Sequence, residues 1–518
     1  MNQPLPKVNK NHSSKVTLTL FLLFSILLFG TVLRLYHLHQ ESLWTDEAFT
    51  VHHAQLQDWG QFIQRISTTE GAPPGHYLLL HYWMQWFGNS EFSVRFPSVI
   101  FGILSIIILF LIVRRLWNEQ IALLASLFMS TSMLQILFSQ EARLYSLFTF
   151  LVLLSAYFFM KIILDEGNMR DERKKVLFLA YLVTMATALV VNYLALVMMA
   201  IYSVLFLFYI KNKKISPLWW KKWVLAQGIL LVGISFLLWP IFQSQFSTLN
   251  TGLRDVLISK SLPSVLASLG LFFYALPVLA FVLFLFLVLW GRKVVSHVLT
   301  HSCFDAFFSL LVITAGSIYL YFSFFPVTLL TIPITRYPIT HSYFLIRHSF
   351  FLAPLWYVFL AWKISSLRWK KVAAVMTVVV LLVSTTALYE YYHLSTKPEW
   401  REAAQFIASQ NQQSSAATFP LTPLILLDKS GLSNEFLLDY YFPQEYRLLK
   451  LTFSEQPRQF AQLSDQDVFS RLTGETEFWL ILARNTKTGN YYRDLLDRRY
   501  QRDISREFYQ VKVYRYSK

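Results

Sequence analysis

The chain is poor in charge and nearly devoid of cysteine. Asp, Glu, Lys and Arg make up 15% of its 518 residues, against roughly 25% in an ordinary soluble chain. Cys303 stands alone, which excludes an intramolecular disulfide framework and any multi-cysteine metal site. Internal repeats, low-complexity segments and nucleotide-binding glycine motifs are also missing. What fills the chain instead is apolar: 55% of residues, with a mean hydropathy of +0.43. The net charge of +16 would suggest nucleic acid in a soluble protein. In a membrane protein it must first be tested against loop asymmetry.

The few charges bound long uncharged runs. Lys15 and Arg34 enclose 18 residues, about 27 Å as helix, close to the roughly 30 Å hydrocarbon core. This run is too long for a signal-peptide core and no small-x-small cleavage site follows, so it reads as uncleaved. Similar runs lie between Arg95 and Arg114, Glu119 and Glu141, Arg143 and Lys161, and Lys371 and Glu390. The 35-residue run from Lys175 to Lys211 is too long for one span and reads as two helices joined near Asn192-Tyr193. Further spans are expected near 223–240, 266–290, 305–325 and 346–362. The fold class is therefore mostly α: a polytopic helical bundle of about eleven spans.

Lys and Arg placement sets the orientation. Alternate connections carry Arg114-Arg115, Arg173-Lys174-Lys175, the lysines at 211–222, Arg292-Lys293, and Lys363 to Lys371, on the side of Lys7, Lys10 and Lys15. That side is expected to be cytoplasmic, with an odd span count placing the C-terminus outside a plasma (inner) membrane. Residues 1–390 read as the membrane domain and 391–518 as a small extracytoplasmic soluble α/β domain. The latter has a helix from Pro398 to Ile407, with Trp400, Ala403, Ala404 and Ile407 on one face, and strands at 477–483 and 508–515. On this topology the cytoplasmic segments hold 21 Lys and Arg against 6 Asp and Glu, the outer loops 8 against 9, and the C-terminal domain 17 against 15. The basic excess is thus a positive-inside signature, and no nucleic-acid partner is implied.

The outer loop 35–91 gathers Glu41, Asp46, Glu47, Asp58, Glu70 and Glu91 among aromatics. Its apolar stretches 48–66 and 73–87 are too interrupted to span and read as interfacial amphipathic helices. Carboxylates held at this depth suit a reaction between a lipid-borne and a water-borne group. Asp46-Glu47 has two readings: a helix start, with Thr45 or Asp46 as N-cap and acids favoured by the dipole, or a general base for an acceptor hydroxyl. Glu70, before Pro73-Pro74, is either a solvated turn acid, a second carboxylate facing Asp46, or a metal ligand near His76. Arg95, Arg143 and Arg347 each stand at the outer end of a span, where a guanidinium either snorkels or binds phosphate in a bidentate way. His52-His53 is a poor metal pair, because adjacent residues on a helix face apart.

Four segments carry a resemblance: Ser42-Leu43-Trp44-Thr45-Asp46-Glu47-Ala48, Pro73-Pro74 leading into Tyr77-Leu78-Leu79-Leu80-His81, Arg95-Phe96-Pro97-Ser98, and Ser139-Gln140-Glu141-Ala142-Arg143-Leu144-Tyr145-Ser146. Together they resemble the GT-C superfamily of membrane glycosyltransferases, and within it glycosyltransferase family 39: bacterial members, protein O-mannosyltransferases and aminoarabinose transferases. The match covers about residues 30–210 and continues more weakly through Arg347 to Pro354 and the Lys397-to-Ile407 helix. The resemblance implies a GT-C fold and an enzyme that moves a sugar from a polyprenyl-phosphate donor to an acceptor hydroxyl at the outer face. It implies Asp46 as catalytic carboxylate, Glu47 as its partner, and Glu70, Arg95, Arg143 and Arg347 near the carrier phosphate. A divalent metal stays open, since the resembling families differ on it. The acceptor is protein, lipid or glycan. Gly75 departs from the family, where Leu usually follows the proline pair. The C-terminal domain does not resemble the sugar-binding modules of eukaryotic protein mannosyltransferases. The rival class is a transporter or flippase of lipid-linked sugars, against which the missing repeat and the clustering of acids in one outer loop both count.

Overall fold

Among the described residues, hydrophobic runs bounded by charge become helices. A computed structural model describes residues 10–56, 58–69, 73–164, 170–211, 217–239, 350–414, 422–428, 434–442, 445–456, 459–483 and 487–518. The expected spans at 266–290 and 305–325, with Glu70 and Arg347, lie outside the described residues. The chain clusters into two compact units: one of Met1–Tyr36, Ile66–His76 and Phe96–Tyr391, the other of His37–Arg65, Tyr77–Arg95 and Tyr392–Lys518.

Among the described residues of the first unit, five helices are long and apolar enough to cross a membrane, or six if one bent pair counts as a span. The five are α1 (Lys10–Leu35), α5 (Glu91–Leu116), α8 (Tyr145–Leu164), α9 (Asp171–Val191) and α13 (Lys370–His393); the bent pair is α6 (Glu119–Thr131) with α7 (Met133–Ser139), at 60°. Also here are α10 (Ala195–Lys211), α11 (Pro217–Leu237) and α12 (Ala353–Ser365). The long run after Lys175 divides where expected. Asn192 leaves the helical conformation at the end of α9 and its side-chain oxygen accepts from the Leu194 amide at 3.0 Å. The stretch expected to span at 346–362 is a shorter apolar helix, Phe350–Ser365. Phe21, Phe24 and Leu28 on α1, and Val375, Val378 and Leu382 on α13, are exposed, which fits lipid rather than water as the outer solvent.

The break between α6 and α7 frees backbone carbonyls that cannot be left bare at this depth. Arg34, fully buried, donates from Nη1 to the Ser130 carbonyl at 3.1 Å and from Nη2 to that of Met129 at 3.4 Å, while its Nε reaches Ser139 Oγ at 3.2 Å. Gly30 and Gly102 make the space. A Cβ on Gly102 would lie 2.3 Å from Ser139 Oγ, and one on Gly30 would lie 3.3 Å from Arg34 Nη1. Arg34 is therefore a buried cap for a broken helix, not only the charge that ends the first run.

In the second unit the outer loop forms three helices rather than the two expected: α2 (Thr45–Ala54), α3 (Trp59–Thr69, whose last turn belongs to the first unit) and α4 (Gly75–Phe87, whose first two residues belong to the first unit). The C-terminal part adds α14 (Trp400–Ser414), α15 (Asn434–Tyr441), α16 (Asp465–Arg471) and α17 (Lys487–Leu496). Its mixed five-stranded sheet has the order β2-β1-β5-β7-β6, from β1 (Leu424–Asp428), β2 (Arg447–Lys450), β5 (Glu477–Ala483), β6 (Gln501–Phe508) and β7 (Val511–Ser517). A separate hairpin pairs β3 (Thr452–Gln456) with β4 (Gln459–Gln462). Strands β1, β2 and β5 run parallel. Leu424, Leu426, Phe478 and Leu480 join one core cluster with Tyr492 and Leu496 of α17. Trp479, on the alternate face, bonds Asn411 of α14 and packs on Phe406. Burial on both faces explains why these strands read as unbroken apolar runs.

The helix read at Pro398–Ile407 is α14, with Trp400, Ala403, Ala404 and Ile407 all buried. The strand read at 508–515 straddles two strands and is corrected to a hairpin, in which Gln510 turns at φ 58°. A glutamine in that left-handed position gives none of the Asn or Gly signal that marks such a turn.

Gly75, the departure noted above, has a packing reason. A Cβ there would stand 2.7 Å from the Val190 carbonyl oxygen, and backbone cannot move aside as a side chain can. Gly75→Ala is expected to destabilise the protein by about 1–3 kcal/mol, the usual overpacking cost. Gly228→Ala, with nothing within 4 Å of the new atom, serves as control. Thermal unfolding of both purified variants in detergent checks this; equal midpoints would contradict it.

Candidate active site

The site is built around a carboxylate with no access to water. Glu47, 0% exposed, sits in the first turn of α2. Its Oε2 accepts from the backbone N–H of Trp44 at 3.3 Å, which makes Trp44 the N-cap residue. The cap thus lies one position before Thr45 and two before Asp46, the caps expected from side-chain chemistry. Glu47 reaching back from the third helical position supplies that half of a capping box.

Arg95, from the first turn of α5, meets Glu47 with a two-pronged fork: Nε to Oε1 at 2.8 Å and Nη2 to Oε2 at 2.9 Å. Its remaining donors go to the carbonyls of Leu38 and Glu41, each at 2.9 Å, and Ser42 at 3.0 Å. All five N–H groups of this buried guanidinium are thereby engaged by protein. Lys397, from the segment between α13 and α14, adds a third contact: Nζ to Glu47 Oε2 at 2.9 Å. One buried anion thus faces two cations.

The loop before α2 is gripped along its length. Glu41 accepts from the Thr396 hydroxyl at 2.7 Å and the Lys397 amide at 3.3 Å. Ser42 donates to Glu402 at 2.9 Å, and Arg401 donates to the carbonyls of His39 and Gln40 and pairs with Glu91. Tyr441 takes the Leu43 amide and donates to Glu91. Burial, and then the charge of Glu91, pushes the Tyr441 phenol well above its ordinary value, so it stays protonated as a donor. Thr45 bonds Asn434 of α15 at 3.2 Å.

Asp46 projects from the same turn half-buried, and its carbonyl takes the Thr50 hydroxyl at 2.9 Å. A carboxylate so placed is fixed in direction by the helix and lies in the favourable field of its N-terminus. Of the other expected residues, Arg143 lies in the first unit and is 7% exposed. Its amide donates to the Glu141 carbonyl at 2.8 Å and its own carbonyl takes the Ser98 hydroxyl. His76 is also in that unit. Burial, and then the charge of Arg143, lowers its imidazole to about 3. Among the described residues no group of three or more His, Cys, Asp and Glu is arranged to hold a metal ion.

His52 and His53 close the far end of α2. His53 stacks on Phe49 at 3.9 Å and His52 on Phe436 of α15 at 4.1 Å. His53 Nδ1 bonds the Phe49 carbonyl at 2.8 Å, and burial lowers its pKa to about 4. These rings pack α2 against α15.

A family model described as "Dolichyl-phosphate-mannose-protein mannosyltransferase" matches residues 71–239. That stretch therefore resembles the mannosyltransferase-like members of the GT-C superfamily, in line with the motifs quoted above. No curated protein matches the chain. Among solved structures, ArnT from Cupriavidus metallidurans in the apo state is similar at 14% identity and a TM-score of 0.49, with 98% of each chain covered. The same protein bound to undecaprenyl phosphate gives 12% and 0.49, over 96% of this chain and 97% of that one. The S. cerevisiae protein O-mannosyltransferase Pmt1-Pmt2 complex bound to the sugar donor gives 19% and 0.36, over 45% and 34%.

Two outcomes follow from the geometry. Glu47→Gln leaves two buried cations without their anion and should cost about 3–5 kcal/mol. Asp46→Asn, at a half-buried position, should cost less than Glu47→Gln; equal losses in denaturant unfolding would contradict this. The second outcome concerns pH. The folded pKa of His53 lies below its unfolded value of about 6.5, so the unfolded chain binds the proton first. Stability from His53 is complete above about 6.5 and is lost as pH falls towards about 4. His53→Leu should flatten that part of the pH–midpoint curve.

Proposed function

We propose that the protein is an integral membrane glycosyltransferase that moves a sugar from a polyprenyl-phosphate carrier to an acceptor hydroxyl at the outer membrane face, with inversion. The observation that carries the reading is the first turn of α2. There a half-buried carboxylate, Asp46, is held rigidly beside a fully buried ion cluster on a loop that follows a membrane-length helix. The mannosyltransferase family match at residues 71–239 and the motifs from Ser42 to Ser146 support it.

In this mechanism Asp46 accepts the proton of the acceptor hydroxyl as its oxygen attacks the anomeric carbon. The bond from that carbon to the phosphate oxygen breaks, and the carrier phosphate leaves with the electron pair. Asp46 is suited to the task by position, since an acceptor can approach a half-buried group but not Glu47. Glu47 is then the partner that fixes the turn. Arg95, with every donor engaged on Glu47 and the loop carbonyls, takes a bracing role in our reading, while Arg143 keeps the role of cation for the carrier phosphate. The donor is a lipid-linked sugar and the acceptor a protein, lipid or glycan. The membrane domain spans residues 1–390, with the N-terminus cytoplasmic and residues 391–518 outside.

The test is sugar transfer by the purified protein in lipid, with a panel of polyprenyl-phosphate sugars and a labelled product. Asp46→Asn should lower turnover by about 10² or more with unchanged folding. Arg143→Ala should chiefly raise the donor KM. Wild-type turnover in Asp46→Asn would sink the assignment. Movement of intact carrier lipid without transfer of its sugar would replace the enzyme by a flippase.

A further inference from the structure

We propose that Lys397 is a positioning residue for Asp46, acting through Glu47 from the opposite end of the membrane portion of the sequence. The proposal rests on the reading of Asp46 as general base and goes beyond it by giving the segment after α13 a part in the reaction.

The argument begins with charge. The Arg95 fork already neutralises Glu47 in the geometry that suits a carboxylate best. A second cation on the same carboxylate still has to leave water, and removing an ammonium from water costs several kcal/mol. Yet Lys397 is 9% exposed and its Nζ stands 2.9 Å from Glu47 Oε2. The atom it chooses matters. Oε2 is the oxygen that caps α2 through the Trp44 amide, and Oε1 accepts from the Arg95 Nε. The ammonium therefore acts on the capping oxygen itself, and Asp46 is one of the two residues between cap and anchor.

The neighbourhood of Lys397 points the same way. Its backbone amide and the Thr396 amide and hydroxyl all bind Glu41, whose own carbonyl is held by Arg95. Arg401, one turn on, holds the carbonyls of His39 and Gln40. The segment 396–401 thus grips the loop 39–42 along its backbone and the following turn through Glu47. Arg95 fixes the carboxylate from one side and Lys397 from another, so the first turn of α2 has no direction left in which to rotate. A base displaced by about 1 Å can lose on the order of 10² in rate, which makes such bracing consequential for turnover.

The test uses the full-length protein in lipid nanodiscs and two readouts. Lys397→Met should lower kcat at least tenfold with donor KM within about twofold of wild type, and Lys397→Arg, which keeps charge and reach, should restore most of it. Independently of any substrate, amide exchange at residues 44–48 should quicken in Lys397→Met, return in Lys397→Arg, and stay unchanged in α8. If Lys397→Met does not fold, Lys397→Gln replaces it, since it keeps a donor for Glu47 without the charge. Unchanged kcat per folded molecule in the charge-free variant, or unchanged exchange at 44–48, overturns the proposal. So does a case in which neither charge-free variant folds while Lys397→Arg does, because Lys397 is then a stability element. A wild-type protein that transfers no sugar from any donor would sink the enzyme reading alone. The exchange experiment then still decides whether Lys397 fixes the turn.

Discussion

A carboxylate buried without water must find cations or unfold its surroundings. Glu47 is that carboxylate here, and the second unit is organised by its needs. Arg95 comes to it from the first turn of α5 and Lys397 from beyond the last membrane-length helix. The loop carbonyls that complete the Arg95 shell, at Leu38, Glu41 and Ser42, fix the path of the chain into α2. Asp46, the residue before Glu47, inherits its direction from this arrangement.

The first unit solves a related problem with one cation. Where α6 breaks, Arg34 covers the released carbonyls, and one glycine on its own helix, Gly30, and one on α5, Gly102, leave it room. Both solutions use Arg for the same physical reason. A planar group with five donors satisfies several fixed acceptors at once, which an ammonium cannot do. At Glu47 the ammonium of Lys397 meets the carboxylate at Oε2.

Much of this was legible in the residues. The division of the long apolar run at Asn192, the buried face of the Trp400 helix and the strand at 477–483 all followed from periodicity and charge spacing, because those patterns report directly on burial. That Glu47 and Arg95 meet was not legible. Adjacent acids look alike in sequence, and only the fold shows that Asp46 is half-buried while Glu47 is fully buried against two cations. Lys397, Arg401 and Tyr441 went unread for a different reason. Each lies more than 300 residues from its partner in the loop, and no local period reports on so distant a pairing. The turn at Gln510 was missed because its residue type does not announce a left-handed backbone.

The separation between Glu47 and Lys397 also has a bearing on biosynthesis. Arg95 follows Glu47 by 48 residues, Lys397 by 350. At about 5–20 residues per second, the ribosome delivers the first cation within roughly 2–10 s and the second only after roughly 20–70 s. The nascent loop therefore waits, with Arg95 in hand but its second cation missing, through the synthesis of every later membrane helix. The ordering of events is built into the chain: the turn that bears Asp46 is completed only when the segment after the last of those helices has emerged, so a protein arrested during insertion holds its carboxylate unfinished.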